Sequence, residues 1–214
     1  MNMKKLIVIV ASLLVAVSAH AQLGVVAGIT SSKTDLKTAK EDVKNISLYH
    51  VGLTYKMDLG LLAVQPSIIY NMKGSKFEGL ATQITEGSIS DNFEYKTGYL
   101  EIPVQVQAGV DLGLARVYGF VEPFVGYAVS NQFVFSQGQP KQTWDNIKSK
   151  MEYGVGLGAG VELIKHVQVS LKYFWNMGLV YGPGNGSDVT IKGIAAAVGE
   201  RKCNGISASV ALLF

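Results

Sequence analysis

The chain has 214 residues, of which 48% are hydrophobic and only 16% are charged, with 24 glycines and a formal net charge of +3. Disordered segments have the opposite balance, so this composition predicts a folded chain. The small net charge provides no basic surface for nucleic acid, so no nucleic-acid partner is expected. Because Cys203 is the single cysteine, no disulfide can form within the chain.

Residues 1–21 have the pattern of a secretory signal peptide. A basic start is followed by an apolar run of 12 residues, Leu6–Val17, and by an A-x-A cleavage site, Ala19-His20-Ala21. The apolar run is too short for a transmembrane helix, which needs about 20 such residues. We therefore expect export, cleavage after Ala21, and a mature domain over residues 22–214.

Beyond the signal peptide, apolar and other residues alternate with a period of two, which sorts them onto opposite faces of a β-strand and not of a helix. In the clearest case, Tyr153, Val155 and Leu157 alternate with glycines. Eight segments follow this pattern: Gln22–Thr30, Ile46–Met57, Leu61–Met72, Tyr99–Val110, Arg116–Val129, Met151–Leu163, His166–Met177 and Asn204–Phe214.

The connections between the predicted strands alternate between short and long. The short ones are Asp58-Leu59-Gly60, Asp111–Ala115 and Ile164-Lys165, and the long ones are Ser31–Asn45, Lys73–Glu94, Ser130–Lys150 and Gly178–Cys203. This alternation predicts an all-β fold, an eight-stranded antiparallel up-and-down transmembrane β-barrel with both termini at the short-turn end. Pro66, Pro103 and Pro123 fall inside predicted strands, and each is expected to mark a bulge or a rim because proline cannot donate to the ladder.

Two arrangements of the faces are possible. A soluble barrel of the lipocalin type would place the apolar residues inside and a row of glycines on its surface. A transmembrane barrel places the apolar residues outward, and small inward residues then suit a narrow lumen that also holds Tyr118, Phe120 and Phe124. We favour the transmembrane arrangement. It predicts an aromatic girdle at the lipid interface near the long connections, formed by Tyr70, Tyr127, Tyr153, Tyr173 and Trp175.

Few residues indicate chemistry. Beyond the signal peptide the histidines are His50 and His166, no nucleophile has an evident base, and no residues have metal-ligand spacing. We expect no cofactor and no enzymatic activity; a membrane-embedded hydrolase is the least favoured of the functions considered.

The inward positions of the predicted strands are polar. We expect a Glu–Lys network that plugs the lumen, because unpaired charges in a narrow interior are costly. Its residues are Glu101, Glu122, Glu162 and Lys172, with Glu122 as the first partner of Lys172 and Glu162 as the second. A narrow ion-conducting path is the alternative.

Four stretches carry a resemblance to known proteins. The alternating apolar run that ends at Phe214 is similar to the signal by which outer-membrane barrels are recognised for assembly. Val64–Gly74, Tyr99–Pro103 and Gly154–Glu162 resemble the PorT-like outer-membrane β-barrel family. This resemblance implies an eight-stranded barrel in the outer membrane of a Gram-negative envelope, in contact with lipid and the barrel-assembly machinery.

Most members of that family have no assigned activity, and one branch serves a protein-secretion apparatus. The expected function is therefore a non-enzymatic structural or interaction role, with long surface loops. The alternatives are a small porin-like channel for ions or small solutes, or an accessory component of a secretion apparatus whose partners are other envelope or secretion proteins.

Overall fold

The computed structural model describes residues 21–34, 42–78, 81–84, 87–90, 93–135, 141–142, 150–178 and 203–214. Apart from Ala21, the predicted signal peptide lies outside these ranges, as does much of the predicted long connections. None of the described residues forms a helix long and apolar enough to cross a membrane.

Within the described ranges the chain forms β-strands only. They are β1 (Ala21–Thr34), β2 (Asp42–Leu59), β3 (Leu62–Glu78), β4 (Ala81–Ile84), β5 (Gly87–Ser90), β6 (Phe93–Asp111), β7 (Ala115–Phe135), β8 (Lys141–Gln142), β9 (Met151–Leu163), β10 (Val167–Asn176) and β11 (Cys203–Leu213). The long strands follow the order β6-β3-β2-β1-β11-β10-β9-β7, and pairing of β6 with β7 closes the sheet. All of these pairings are antiparallel, so the predicted eight-stranded up-and-down barrel is confirmed.

The three short turns lie at one end of the barrel, and two of them share the sequence Asp-Leu-Gly-Leu. Asp58 accepts a hydrogen bond from the Gly60 N–H at 2.9 Å, and Asp111 accepts one from the Gly113 N–H at 2.8 Å. Both glycines have a positive φ, 86° and 91°, which glycine adopts without the steric cost of a side chain. The same local chemistry therefore forms both turns.

Several strands are longer than the alternation predicts. The β3 strand continues past Met72 to Glu78, and β7 continues past Val129 to Phe135. Pairing extends along β6 as far as Phe93, and β2 pairs with β3 from Asp42 onward. These extensions of β2, β3, β6 and β7 form a four-stranded wall at the long-connection end. The alternation places these extensions in the connections, because their sequences are rich in polar residues.

The prediction of a bulge or rim at the prolines is wrong. Among the described strand pairs, the register shifts only between Asn45 and His50 and between Gly98 and Tyr99. Pro66, Pro103 and Pro123 lie inside ladders that keep one register on both sides. The fixed φ of proline is compatible with a strand, so each missing N–H removes a hydrogen bond without displacing the chain.

The apolar residues face outward, which excludes the lipocalin-type arrangement. Along β7, Val121 is 46% exposed, whereas its neighbours Phe120 and Glu122 are 3% and 2% exposed. The same alternation runs along β9, where Leu157 is exposed and Gly156 is buried. The interior of the barrel, called the lumen below, is therefore lined by polar residues, glycines and a few aromatic rings.

The glycines of β9 give space to the aromatic rings of β7. A Cβ atom added at Gly158 would lie 2.5 Å from Cζ of Phe120 and would also collide with the backbone oxygen of Leu171. Gly154 and Gly160 are covered in the same way by other β7 rings. Gly156 differs, because an added Cβ there has ordinary contacts of 3.5 Å or more.

We predict that Gly158→Ala lowers the free energy of unfolding by about 1–3 kcal/mol, because the added methyl group overpacks the lumen. Gly156→Ala is the matched control, two residues away on the same strand face, and should be neutral or slightly stabilising. Urea unfolding of both variants in detergent micelles measures the difference. Equal stability of the two variants would contradict the packing described for β7 and β9.

Candidate functional site

The lumen is the candidate site, and it contains three clusters of charged residues. In the following, upper refers to the long-connection end and lower to the short-turn end. Among the residues that the structure describes, the buried cations of the lumen are Lys56, Lys73, Arg116 and the nearly buried Lys172, and its buried carboxylates are Glu101, Glu122, Glu152 and Glu162. Cations and carboxylates are therefore equal in number.

The upper cluster is formed by Lys73, Glu101 and Glu152. Lys73 Nζ lies 2.8 Å from Glu101 Oε1 and 3.0 Å from Glu152 Oε1. Amide groups complete the site, since Asn71 donates to Glu101 at 3.0 Å and Asn176 donates to Glu152 at 2.5 Å. Hydrogen bonds of this kind offset part of the cost of burying the charges.

Glycine and aromatic residues shape the surroundings of the upper cluster. Gly126 pairs with Glu101 on one side and Glu152 on the other, and an added Cβ there would lie 2.9 Å from both side chains. Lys73 Nζ also lies 4.5 Å from the ring centroid of Phe124 and 4.7 Å from that of Phe174. Cation–π attraction from these rings adds to the ion pairs.

The middle cluster joins Lys172, Glu122 and Gln105. Lys172 Nζ contacts Glu122 Oε1, and Gln105 Nε2 donates to Glu122 Oε2 at 2.7 Å. The carboxylate of Glu122 therefore has one partner for each oxygen atom.

The lower cluster crosses the lumen. Lys56 Nζ lies 2.8 and 2.6 Å from the two carboxylate oxygens of Glu162, and Gln168 donates to the same carboxylate at 2.8 Å. Lys56 also pairs with the partly exposed Asp58 at 3.2 Å. Because β2 and β9 are four strands apart in either direction around the barrel, the Lys56–Glu162 pair spans its full width.

A cavity of about 960 Å³ lies below this cluster, at the short-turn end. Its lining includes Asp58, Asp111, Arg116 and Lys165. Arg116 forms part of its upper boundary and donates to Gln107 at 3.0 Å. We call this cavity, which Leu59, Leu61 and Leu114 also line, the vestibule.

His50 connects hydroxyl groups from two strands, β1 and β11. Its Nδ1 lies 3.0 Å from Thr30 Oγ1, and its Nε2 lies 2.9 Å from Ser209 Oγ. A Ser–His pair is part of catalytic triads, but there the second ring nitrogen is held by a carboxylate, whereas here its partner is the Thr30 hydroxyl. Thr30 also donates to Asn71 at 2.9 Å. The arrangement satisfies a buried imidazole and links it to the upper cluster.

The structure brings some of the predicted lumen residues together and separates others. Lys172 contacts Glu122, the first partner considered for it. The second pairing, of Lys172 with Glu162, is wrong, because Lys172 lies opposite Gly158 whereas Glu162 lies opposite Gln168, nearer the short turn. Glu101 pairs with Lys73, which lies in one of the predicted connections.

The residues missed from the sequence are Lys73, Glu152 and Arg116. Lys73 lies one residue beyond the predicted end of its strand, and it has the same parity as the inward-facing Asn71. Glu152 has the parity of the inward glycines of β9. Extending the inward parity of β3 one residue past Met72 finds Lys73, and applying the inward parity to the first residues of β9 finds Glu152.

The predicted girdle residues stand on the outer face. Tyr127, Tyr153, Tyr173 and Trp175 are 40–55% exposed. Tyr70 is half-buried because it covers Gly98, and its hydroxyl lies 2.9 Å from Ser130 Oγ. Tyr49, whose ring centroid is 6.2 Å from that of Tyr70, extends the group. Their position at a lipid interface stays a prediction.

Phe214 directly follows β11 and is 73% exposed. Its backbone N–H donates to the Leu23 carbonyl at 2.7 Å, so it continues the pairing of β11 with β1. Among the described residues, no group of three or more His, Cys, Asp or Glu side chains is arranged to hold a metal ion.

Comparison with known proteins gives one family match and several similar structures. A family model described as an outer membrane protein beta-barrel domain matches residues 17–180. Neisserial surface protein A is similar over 90% of this chain and 97% of its own, with 13% identity and a TM-score of 0.45. Ail, the attachment invasion locus protein of Yersinia pestis, is similar over 91% and 99%, with 15% identity and a TM-score of 0.44. No curated protein sequence matches.

We predict that Lys172→Met lowers the free energy of unfolding by about 3 kcal/mol, because it leaves a carboxylate without its cation. Adding Glu122→Gln should restore part of the loss, giving a coupling of about 1–3 kcal/mol in a double-mutant cycle. The matched control is the cycle of Lys172→Met with Glu162→Gln, which should be additive within about 0.5 kcal/mol because the two residues have separate partners. Urea unfolding in micelles measures both cycles, and coupling in the control alone would contradict the pairing.

Proposed function

The chain belongs to the outer membrane protein β-barrel family, and from that premise we propose that it is a non-enzymatic outer-membrane barrel, closed by its own side chains, with a structural or interaction role. One observation carries the closure. The Lys56–Glu162 pair joins opposite walls of the barrel, both side chains are buried, and both carboxylate oxygens are engaged.

The middle and upper clusters of charged residues support the same proposal. An eight-stranded barrel has an interior that side chains can just fill. The middle cluster links β7 to β10, and the upper cluster links β3, β6 and β9. A hydrated ion crossing the lumen would have to separate each of these pairs in turn. The polar lumen therefore serves stability, and the small channel is the less favoured function.

The proposed interaction role belongs to the long-connection end. The four-stranded wall extends β3 to Glu78 and β7 to Phe135, beyond the girdle residues Tyr70 and Tyr127. Such a wall supports loops above a membrane surface, where other envelope proteins can reach them. An accessory role in secretion, which the resemblance of Val64–Gly74 and Tyr99–Pro103 to the PorT-like family implies for one branch of that family, is a further candidate. Cross-linking in intact outer membranes that recovers secretion components would support that candidate.

We predict that the folded protein shows no steady conductance in planar bilayers, because each layer of paired charges blocks the lumen. The heat-dependent shift of the folded barrel on a denaturing gel verifies that the inserted protein is folded. A steady current that scales with salt concentration would contradict the proposed closure and would favour the channel.

We also propose that residues 1–21 direct export and that Phe214 is part of the assembly signal. Deleting Phe214 should lower the amount of folded barrel in the outer membrane, while the exported chain still begins at Gln22. Phe214→Tyr is the matched control, since it keeps an aromatic residue in place and should assemble normally. Quantifying the heat-shifted band in membrane fractions measures the effect, and an unchanged amount after the deletion would refute the role of Phe214.

A further inference from the structure

The short turns carry an exposed apolar surface that the proposed function does not use. All three turns contribute to it. We call it the apolar rim, and it consists of residues that are 55–79% exposed: Leu59, Leu61, Leu112, Leu114 and Ile164. A contiguous apolar surface of this kind on a protein normally contacts a partner or a membrane.

Backbone hydrogen bonds hold the three turns side by side. The Gly109 N–H donates to the Leu61 carbonyl at 2.9 Å, which attaches the β2–β3 turn to the start of the next one. The Ile164 N–H donates to the Leu114 carbonyl at 2.8 Å, which attaches the third turn to the second. The rim is therefore one surface and not a set of separate loop tips.

The polar groups of the same turns border the vestibule. Asp58 and Asp111 line it, and each carboxylate caps its own turn through a glycine N–H. Lys165 lines the vestibule as well, and so do Leu59, Leu61 and Leu114 of the rim. Leu112 and Ile164 lie outside this lining, so the rim extends from the edge of the opening to the outer side of the turns.

The rim continues the apolar outer face of the barrel without a break in sequence. Leu61 is followed by Leu62, and Ile164 is preceded by Leu163, both exposed on the outer face. Val110 on β6 and Val117 on β7 are also exposed beside the second turn. The outer face of a family member contacts lipid, so this continuity identifies lipid as the occupant of the rim.

We propose that the apolar rim is inserted into the membrane leaflet at the short-turn end, with acyl chains and glycerol groups of the lipid as its partner. The turns then anchor the barrel in that leaflet and do not project into water. Apolar residues hold amphipathic segments at this depth, about 5–10 Å into the boundary between headgroups and chains. At this end they take the place of an aromatic girdle.

Site-specific fluorescence in lipid vesicles tests the proposal. In a Cys203→Ala background, single cysteines at Leu112 or Ile164 are labelled with a small environment-sensitive dye, and the protein is folded into vesicles of phosphatidylethanolamine and phosphatidylglycerol. Lys165→Cys is the matched control, since it lies at the same end but lines the vestibule. Leu157→Cys, on the exposed face of β9, is the reference for a lipid-facing label.

Nitroxide-bearing lipids should quench the dyes at Leu112 and Ile164 at least about twofold more strongly than the dye at Lys165. Aqueous iodide, present on both sides of the vesicle, should show the opposite order. Equal iodide quenching at Leu112, Ile164 and Lys165 would overturn the proposal and would mean that the rim is exposed to water. Where one labelled variant does not fold, the other provides the same test.

Discussion

The cost of holding charge inside a closed barrel is the constraint on which the rest of this structure depends. Lipid covers the outer face, so charged groups inside the barrel are stabilised by partners within the lumen. Lys56 and Glu162 meet from opposite walls, and Lys73 is shared between two carboxylates. The number of strands sets how far apart the walls stand, and these pairs are matched to that distance. A wider barrel would separate the pairs, and a narrower one could not hold their side chains.

The glycine-rich composition follows from the same constraint. A lumen that contains three charged clusters and several aromatic rings has no room for further side chains on every strand. On β9 the inward positions are therefore glycines where the rings of Phe120 and Phe124 lie, and Gly126 separates the two carboxylates of the upper cluster. The Phe124 ring, which covers Gly154, in turn faces Lys73, so aromatic packing and charge neutralisation meet at this ring.

The sequence predicts the barrel well because alternation, turn length and face are local properties. The alternation within each strand indicates which residues face lipid, and the sequence Asp-Leu-Gly-Leu identifies two of the turns. The pairings inside the lumen are not local. Glu162 meets Lys56 and not Lys172 because the closed sheet brings β2 opposite β9, which no spacing along the chain encodes. The sequence does not predict the four-stranded wall, because its many polar residues obscure the alternation that identifies the other strands.

The two ends of the barrel differ in a way that bears on function. At the lower end, the turns carry aliphatic residues around a vestibule lined by both polar and aliphatic side chains, and Asp58 and Asp111 cap two of the turns. At the upper end, β2, β3, β6 and β7 continue past the girdle and carry the longer connections. In the proposed function, the paired charges between the two ends close the lumen, and the barrel holds the wall at a fixed height and orientation. The end that is extended is therefore the end that can meet partners, and the opposite end serves to hold the barrel in the membrane.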